Sequence, residues 1–187
     1  VNKHIPGMKP YVSSTGSPMY YAARIAKQKY PNAKVVFIGP CIAKRKEAQR
    51  DECVDYVMTF EELHSVFRGY GIELAETAPY KVAYESVCEA HGFAQAGGVA
   101  GAVKAYLGPK ADHIKILQFS DFNKKSIGQL RAWAKTGKVD AQFIEMMACE
   151  GGCVTGPSAF NDPMSGKRQL NQSLLKCTLK YENGDGK

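Results

Sequence analysis

The stretch Met147-Ala148-Cys149-Glu150-Gly151-Gly152-Cys153 constrains this chain more than any other. Its two cysteines stand four positions apart with two glycines between them, a spacing that suits two thiolates facing one centre. Glycine tolerates φ > 0 and lets the backbone approach closely, so such a turn can wrap a bulky inorganic group. The apolar run at residues 141–146 predicts a buried strand that leads into the turn.

A third cysteine, Cys41, stands in a matching context. Residues 34–39 predict a strand, and Pro40 and Cys41 follow at its end. Two strand-end cysteine turns that lie far apart in sequence fit one shared metal site better than two unrelated packing thiols. The six cysteines lack the pattern of a small disulfide scaffold, which favours a reducing compartment and metal ligation. Three other cysteines are expected to be small hydrophobic residues at buried sites: Cys53, Cys88 and Cys177.

The order of strands and helices predicts the fold class. With 187 residues, 44% of them hydrophobic, the chain can form one domain or two small lobes. Strands that alternate with helices predict an α/β fold of layered, mostly parallel sheets flanked by helices, in a two-lobed arrangement. Strands are predicted at 34–39, 55–58, 113–117 and 141–146, and helices from Ser17-Pro18, after Cys41, from Thr59 to Gly69, at 97–107, at 122–136 and after Gly166. Residues 72–88 show no clear pattern, and the tail 183–187 is expected to be mobile.

Charge and hydropathy exclude several classes of protein. The net charge of +7 could indicate a nucleic-acid partner, but the Lys and Arg residues are scattered and no aromatic residues are interleaved with them, so no such partner is expected. No run approaches the roughly 18 apolar residues of a membrane span, and no signal peptide is visible. A cytoplasmic location is therefore predicted. The chain begins at Val1 without methionine, so it is interpreted as a piece of a longer protein.

Four segments of the chain carry a resemblance to one known family: residues 12–18, residues 39–48 (Gly-Pro-Cys-Ile-Ala-Lys-Arg-Lys-Glu-Ala), residues 92–99 and Glu145–Cys153. Together they resemble the [FeFe]-hydrogenase large-subunit catalytic domain. Residues 39–48 resemble its second cysteine signature and Glu145–Cys153 its third, whereas residues 92–99 are similar to its Phe/Gly-rich segment and residues 12–18 to the segment before the second signature. The four segments occur in the order the family has them. The resemblance identifies residues 1–187 as part of this domain, with the first cysteine signature absent from the chain.

The resemblance implies an iron–sulfur cofactor. In the family a [4Fe–4S] cluster and a two-iron subsite together form the H-cluster, which interconverts protons, electrons and H2. Cys41, Cys149 and Cys153 are implied as cluster ligands, with Cys153 bridging to the two-iron subsite. The fourth ligand would belong to the first signature, before Val1. From the residues alone, three thiolates without the fourth ligand leave a zinc site open as an alternative.

The resemblance also implies roles for further residues. Lys44 would donate to a cyanide of the two-iron unit, and Glu47 and Ser13 would relay protons. Around the cofactor, the implied residues are Phe93, Met147 and Gly97. Without the resemblance, Lys44 would be interpreted as one member of a solvated Lys-Arg-Lys run, Glu47 as a surface carboxylate, and Phe93 and Met147 as core residues. Implied partners are H2 and protons, together with electron-transfer Fe–S domains or a signalling domain of the same protein.

Several positions depart from the family pattern, and they keep two other functions open. Gly39 stands where the family has methionine, Met19 replaces a glutamine, and Ala94 replaces a glycine. In the family these positions surround the two-iron subsite, whereas the visible cysteine positions are kept. The departures resemble the divergent, sensory branch, in which the domain binds H2 and signals with little turnover. A third possibility is an Fe–S assembly factor that binds only the [4Fe–4S] cluster, and the presence of Lys44 argues against it.

Overall fold

The structure is a computed structural model in which residues 1–80 and 86–181 are described. The expected mobile tail and part of the unassigned stretch 72–88 lie outside these residues. The chain divides into two compact units. We call Ser13–Lys81 with Gly156–Phe160 the Cys41 unit, and Val1–Val12, Val82–Thr155 and Asn161–Lys187 the Cys149 unit.

The Cys41 unit is built on a two-stranded parallel sheet. Its described elements are α1 (Pro18–Lys29), β1 (Val36–Ile38), α2 (Ala43–Arg50), β2 (Tyr56–Met58), α3 (Phe60–Gly69) and a 3-10 turn at Leu74–Glu76. Val36 pairs with Tyr56 and Ile38 with Met58. The core consists of Met19, Ala23 and Val54.

Local chemistry sets the helix starts of this unit. The Ser17 side chain accepts a hydrogen bond from the Tyr20 N–H, and Pro18 occupies the first helical position of α1. α3 begins with a capping box, because Thr59 and Glu62 each accept the other's backbone N–H. The helix starts predicted at Ser17-Pro18 and at Thr59 depended only on neighbouring residues, and both are confirmed.

The Cys149 unit contains a second two-stranded parallel sheet. Its described helices and strands are α4 (Cys88–His91), α5 (Gly98–Leu107), β3 (Ile116–Phe119), α6 (Lys124–Thr136), β4 (Phe143–Met146) and α7 (Pro163–Lys176), with 3-10 turns at Pro6–Tyr11, Gly92–Ala94, Gly108–His113 and Cys153–Thr155. Ile116 pairs with Phe143 and Phe119 with Met146. Ile5, Met8 and Leu130 form the core, and Trp133 packs against it. The predicted α/β class with parallel sheets is confirmed.

Several predicted boundaries differ from those observed. β3 begins at Ile116 rather than at 113, because Gly108–His113 forms a 3-10 turn that closes with a bond from the Ile114 N–H to the Ala111 carbonyl. α7 begins at Pro163 rather than after Gly166, because the Asp162 carboxylate accepts the N–H groups of the first turn. Residues 1–16, for which no helix or strand was predicted, contain the 3-10 turn Pro6–Tyr11. None of the helices in residues 1–80 and 86–181 is long and apolar enough to cross a membrane.

The expectation that Cys88 and Cys177 are packing thiols is wrong. They form a disulfide between residues 89 positions apart, with a Cα–Cα distance of 5.6 Å. Backbone pairing brings them together, because the Cys88 N–H donates to the Leu179 carbonyl at 2.7 Å. The Tyr181 N–H donates to the Glu89 carboxylate at 3.1 Å. The disulfide therefore ties the segment after α7 to α4.

Candidate metal centre

The Cys149–Cys153 turn is held by the sheet from which it emerges. Beyond the last pair of the β3–β4 ladder, the Met147 N–H donates to the Phe119 carbonyl at 2.9 Å. The Gly151 N–H then donates to the carbonyl of Ser120, also at 2.9 Å. The turn is therefore attached at two points to the chain that continues from β3, as predicted for a cysteine turn at a strand end.

The two glycines of the turn are required by its geometry. Gly151 and Gly152 have φ of +82° and +105°, a region that favours glycine. A methyl group on Gly152 would lie 2.6 Å from the Gln95 Cα and from the Ala96 nitrogen. The Ala96 N–H also donates to the Gly151 carbonyl at 3.1 Å. The segment after Phe93 is thus packed against the cysteine turn, backbone on backbone.

Glu145 links this segment to β4, and sequence analysis assigned it no role. Its side chain is 5% exposed, and its two carboxylate oxygens accept the N–H groups of Gly97 and Ala100, each at 2.8 Å. Gly97, with φ of +88°, precedes α5, so the carboxylate also lies at a favourable helix N-terminus. An acidic residue within an apolar strand was the signal that could have identified it.

The predicted wall residues have different positions within the Cys149 unit. Phe93 lies in the 3-10 turn that leads to Gln95, and it is half-buried, as is Met147 at the start of the cysteine turn. Gly97 acts through its backbone N–H to Glu145. Their cofactor roles stay predictions, whereas their part in building the turn is visible.

The residues around Cys41 form a second, differently built strand end. The Gly39 N–H donates to the Met58 carbonyl at 3.1 Å, and the Lys44 N–H to the Cys41 carbonyl at 3.3 Å. The Pro40 carbonyl accepts the Ser158 N–H at 3.3 Å. Cys41 is therefore placed between β1 and the first turn of α2, and it is half-buried.

Lys44 and Glu47, predicted for separate roles, form one ion pair. The Lys44 Nζ lies 2.6 Å from Glu47 Oε2, and both side chains are largely buried, at 23% and 17% exposure. Burial pushes the pKa of Glu47 upward, but hydrogen bonds from Lys44 and Ser17, with the lysine charge, outweigh it and hold the pKa below 4.5. The serine that contacts Glu47 is thus Ser17. Ser13, the predicted relay partner, accepts the Thr15 N–H through its Oγ.

Two of the three positions that depart from the family pattern, Met19 and Gly39, lie where core side chains pack. Met19 is 5% exposed and lies in the core with Ala23 and Val54. Beside Gly39 stands the Phe37 ring, 2.9 Å from where a methyl group on the glycine would be. The core of the Cys41 unit therefore uses the space near both positions. Cys53, expected to be a packing thiol, lies half-buried against the same core.

The donor chemistry of the cysteine turn fits an iron–sulfur cluster. Cys149 and Cys153 lie at the two ends of a glycine turn, and neither belongs to the disulfide of the described residues. Thiolates are the usual ligands of such clusters. In the described part of the chain, no group of three or more His, Cys, Asp or Glu side chains is arranged to hold a metal ion. A site shared with Cys41, which belongs to the other unit, stays a prediction.

Comparison with known proteins identifies the family. The family model described as "Iron only hydrogenase large subunit, C-terminal domain" matches residues 1–157. The chain belongs to this family. The "Periplasmic [Fe] hydrogenase large subunit" of Nitratidesulfovibrio vulgaris is 30% identical over 197 residues, which covers 82% of this chain and 47% of the relative. The chain thus spans about half the length of that iron-only hydrogenase subunit.

Solved structures of [FeFe]-hydrogenases share the fold. One, from work on oxygen inactivation and the H cluster 2Fe subcluster, has a TM-score of 0.66 at 21% identity and covers 94% of this chain and 62% of its own. A variant of the [FeFe]-hydrogenase HydA1 from Chlamydomonas reinhardtii has a TM-score of 0.58 at 21% identity, and the match covers 91% of this chain and 61% of the HydA1 chain. At these identities the likeness supports the α/β fold, and the resemblance stated from the sequence is confirmed at the level of the family.

Proposed function

We propose that this chain is the part of an [FeFe]-hydrogenase-type oxidoreductase that holds an H-cluster. The observation that carries the proposal is the Cys149–Cys153 turn, whose two glycines and packing on Gln95 and Ala96 preorganise a two-thiolate loop at a strand end. Thiolates of Cys41, Cys149 and Cys153 would be cluster ligands. When bound, the group would supply the chemistry that interconverts protons, electrons and H2.

The chain's own residues would bind, screen and handle protons. Lys44 places a positive charge one helical turn after Cys41, where it would favour an anionic cofactor. Glu47 would accept and release a proton at a carboxylate oxygen, and the contacts with Lys44 and Ser17 that lower its pKa favour the ionised form between transfers. Phe93 and Met147 would exclude water from the cofactor. H2, protons and electron-transfer Fe–S domains are the corresponding proposed partners.

Anaerobic reconstitution with iron and sulfide tests the proposal in the full-length polypeptide. The wild type should gain visible absorbance, and an EPR signal after reduction by a low-potential donor. Cys149→Ala should lose both signals. Cys53→Ala is the matched control, since Cys53 packs against the core, and it should keep them. A cluster that survives in Cys149→Ala would contradict the proposal, and a colourless protein that binds zinc would establish the zinc alternative.

A sensory module with little turnover is the second candidate function. The Phe37 ring beside Gly39 and the buried Met19 favour it, because both positions depart from the family pattern and lie where core side chains pack. H2 production from a chemical reductant after cofactor loading separates the candidates. Turnover that matches a standard family member contradicts the sensory function, whereas cluster and H2 binding with little turnover supports it.

The proposed location depends on the disulfide as well as on the cysteine pattern. The cytoplasmic location stays a prediction. Disulfides persist mainly in oxidising compartments, and Cys88–Cys177 therefore favours a location like that of the periplasmic relative. The state of these two cysteines in protein isolated under thiol-trapping conditions would decide between the two locations.

A further inference from the structure

Lys167 of α7 lies directly against the cysteine turn. A methyl group on Gly151 would overlap both Nζ and Cε of this lysine, so the ammonium group occupies the space beside the Gly151 Cα. Gly151 stands between Cys149 and Cys153 with a φ of +82°, and because it has no side chain, the lysine can approach its backbone on that side. Lys167 lies beyond residues 1–157, the part of the chain that matches the family.

The position of Lys167 is fixed by the start of α7. The Asp162 carboxylate accepts the N–H groups of Met164 and Ser165, each at 3.0 Å, so the first turn of the helix is anchored. The buried Gly166 packs against Val154, which lies in the 3-10 turn that begins at Cys153. This contact places the next residue, Lys167, over the turn. The lysine is half-buried, whereas its neighbour Arg168 is exposed.

The positive charge of Lys167 is directed at the turn. No carboxylate of residues 1–80 and 86–181 forms an ion pair with it, although other lysines such as Lys44 and Lys115 have such partners. An ammonium group interacts most favourably with whichever state of its surroundings is more negative, and the interaction is stronger where water is partly excluded. Two thiolates and a reduced cluster provide such surroundings.

We propose that Lys167 is a positioning residue for the cluster held by Cys149 and Cys153, and that its fixed charge stabilises the reduced state of that cluster. The inference rests on the proposed function. The redox reaction is a one-electron reduction: the cluster gains one electron from a low-potential chemical reductant, and no bond in the protein forms or breaks. The side chain acts through charge and through its contact with Gly151.

Redox titration monitored by EPR tests this role in the reconstituted full-length protein. Lys167→Met should make the cluster harder to reduce, lowering the ratio of reduced to oxidised cluster at a fixed potential roughly tenfold, or about 59 mV for one electron. Lys167→Arg, which keeps the charge, should restore most of the ratio. Arg168→Met is the matched control: it removes the same charge one residue further along the helix, and we expect it to shift the ratio much less.

Each outcome decides the inference. Equal ratios for wild type and Lys167→Met, or equal shifts for Lys167→Met and Arg168→Met, would overturn it while leaving the proposed function intact. A wild type that gains no cluster would overturn both. If Lys167→Met does not fold by circular dichroism, Lys167→Gln replaces it and is judged by the same ratio.

Discussion

The two cysteine-bearing strand ends of this protein are built by different physical means. At the end of β4, the Cys149–Cys153 turn is fixed by backbone contacts, through two glycines with positive φ and the close approach of Gln95 and Ala96. At the end of β1, the region after Cys41 is organised by side chains, chiefly the ion pair of Lys44 and Glu47. Backbone constraint and side-chain electrostatics thus serve the same proposed purpose.

The difference predicts unequal tolerance to mutation. Overlap between backbone atoms cannot be relieved by a change of side-chain rotamer. An ion pair that keeps some contact with water contributes little to the free energy of unfolding, so its loss should leave the local fold unchanged. Substitutions in the Cys149 turn should therefore destabilise the unit, and substitutions at Lys44 or Glu47 should alter charge with little loss of stability.

Gly152→Ala should have the largest effect. The new methyl group would meet the backbone of Gln95 and Ala96 at 2.6 Å, and the residue would keep a φ of +105°. Strain at positive φ and overpacking each cost roughly 1–3 kcal/mol, so a loss of about 2–6 kcal/mol is expected. Urea unfolding followed by the fluorescence of Trp133, the only tryptophan in the sequence, measures it in the Cys149 unit.

Two alanine variants serve as controls for that measurement. Gly128→Ala, inside α6, meets no atom within 4 Å and should stabilise the helix by roughly 0.5–1 kcal/mol. Gly39→Ala, at the other strand end, meets only the edge of the Phe37 ring, which can move. Because Trp133 lies in the Cys149 unit, unfolding of this variant is followed by circular dichroism, and it should cost less free energy than Gly152→Ala. If Gly39→Ala and Gly152→Ala cost the same, the contrast between the two strand ends is wrong.

Removal of the Cys88–Cys177 disulfide should have the next largest effect. A cross-link between residues 89 positions apart restricts the unfolded chain strongly, and its loss in the double serine variant should cost about 2–4 kcal/mol. Trp133 fluorescence again reports the change. Alkylation of the unfolded, unreduced protein should label Cys41, Cys53, Cys149 and Cys153 but not this pair. Labelling of all six would contradict the disulfide.

The features that could be predicted from the sequence are those that depend on residues close together in the chain. The Ser17 cap, the Thr59 capping box and the strand that leads into Cys149 depend on residues close in the chain, and their patterns are legible there. The disulfide depends on α4 meeting the segment after α7. Nothing near Cys88 or Cys177 in the sequence indicates that pairing.

The candidate site shows the same limit. Glycines between cysteines predicted a tight turn, which the structure contains. The hydrogen-bond partners of Glu145, however, lie 45 and 48 residues away in the sequence. Lys167, which contacts Gly151, lies outside residues 1–157, the part of the chain that matches the family. The hydrogen bond of Ser17 to Glu47 was likewise not predicted from the sequence, because it joins residues 30 positions apart, and the relay role of Ser13 stays a prediction.

Glu145→Gln should have a smaller effect than loss of the disulfide. A glutamine side chain has one acceptor oxygen, so one of the N–H groups of Gly97 and Ala100 would lose its acceptor in a buried place. A buried, unsatisfied donor costs about 1–3 kcal/mol. Trp133 unfolding measures the loss, and the Gly97 and Ala100 amides should exchange hydrogen faster. Glu150→Gln, an exposed residue five positions on, should change neither, and equal effects of the two variants would contradict the anchoring role.

The smallest effect is expected for Glu47→Gln, and it should depend on pH. The folded pKa of Glu47 lies below its ordinary value of 4.5, so the carboxylate adds stability above that pH and loses it as pH falls through the folded pKa. At about pH 7 the variant should be less stable by under roughly 1 kcal/mol. Thermal unfolding by circular dichroism, repeated at falling pH, should show this gap in stability closing as the pH falls through the folded pKa of Glu47, whereas the exposed control Glu52→Gln should differ little from the wild type at about pH 7. A gap that persists in acid would mean that packing, rather than the charge shared with Lys44, holds this strand end, and the contrast with the Cys149 turn would then be lost.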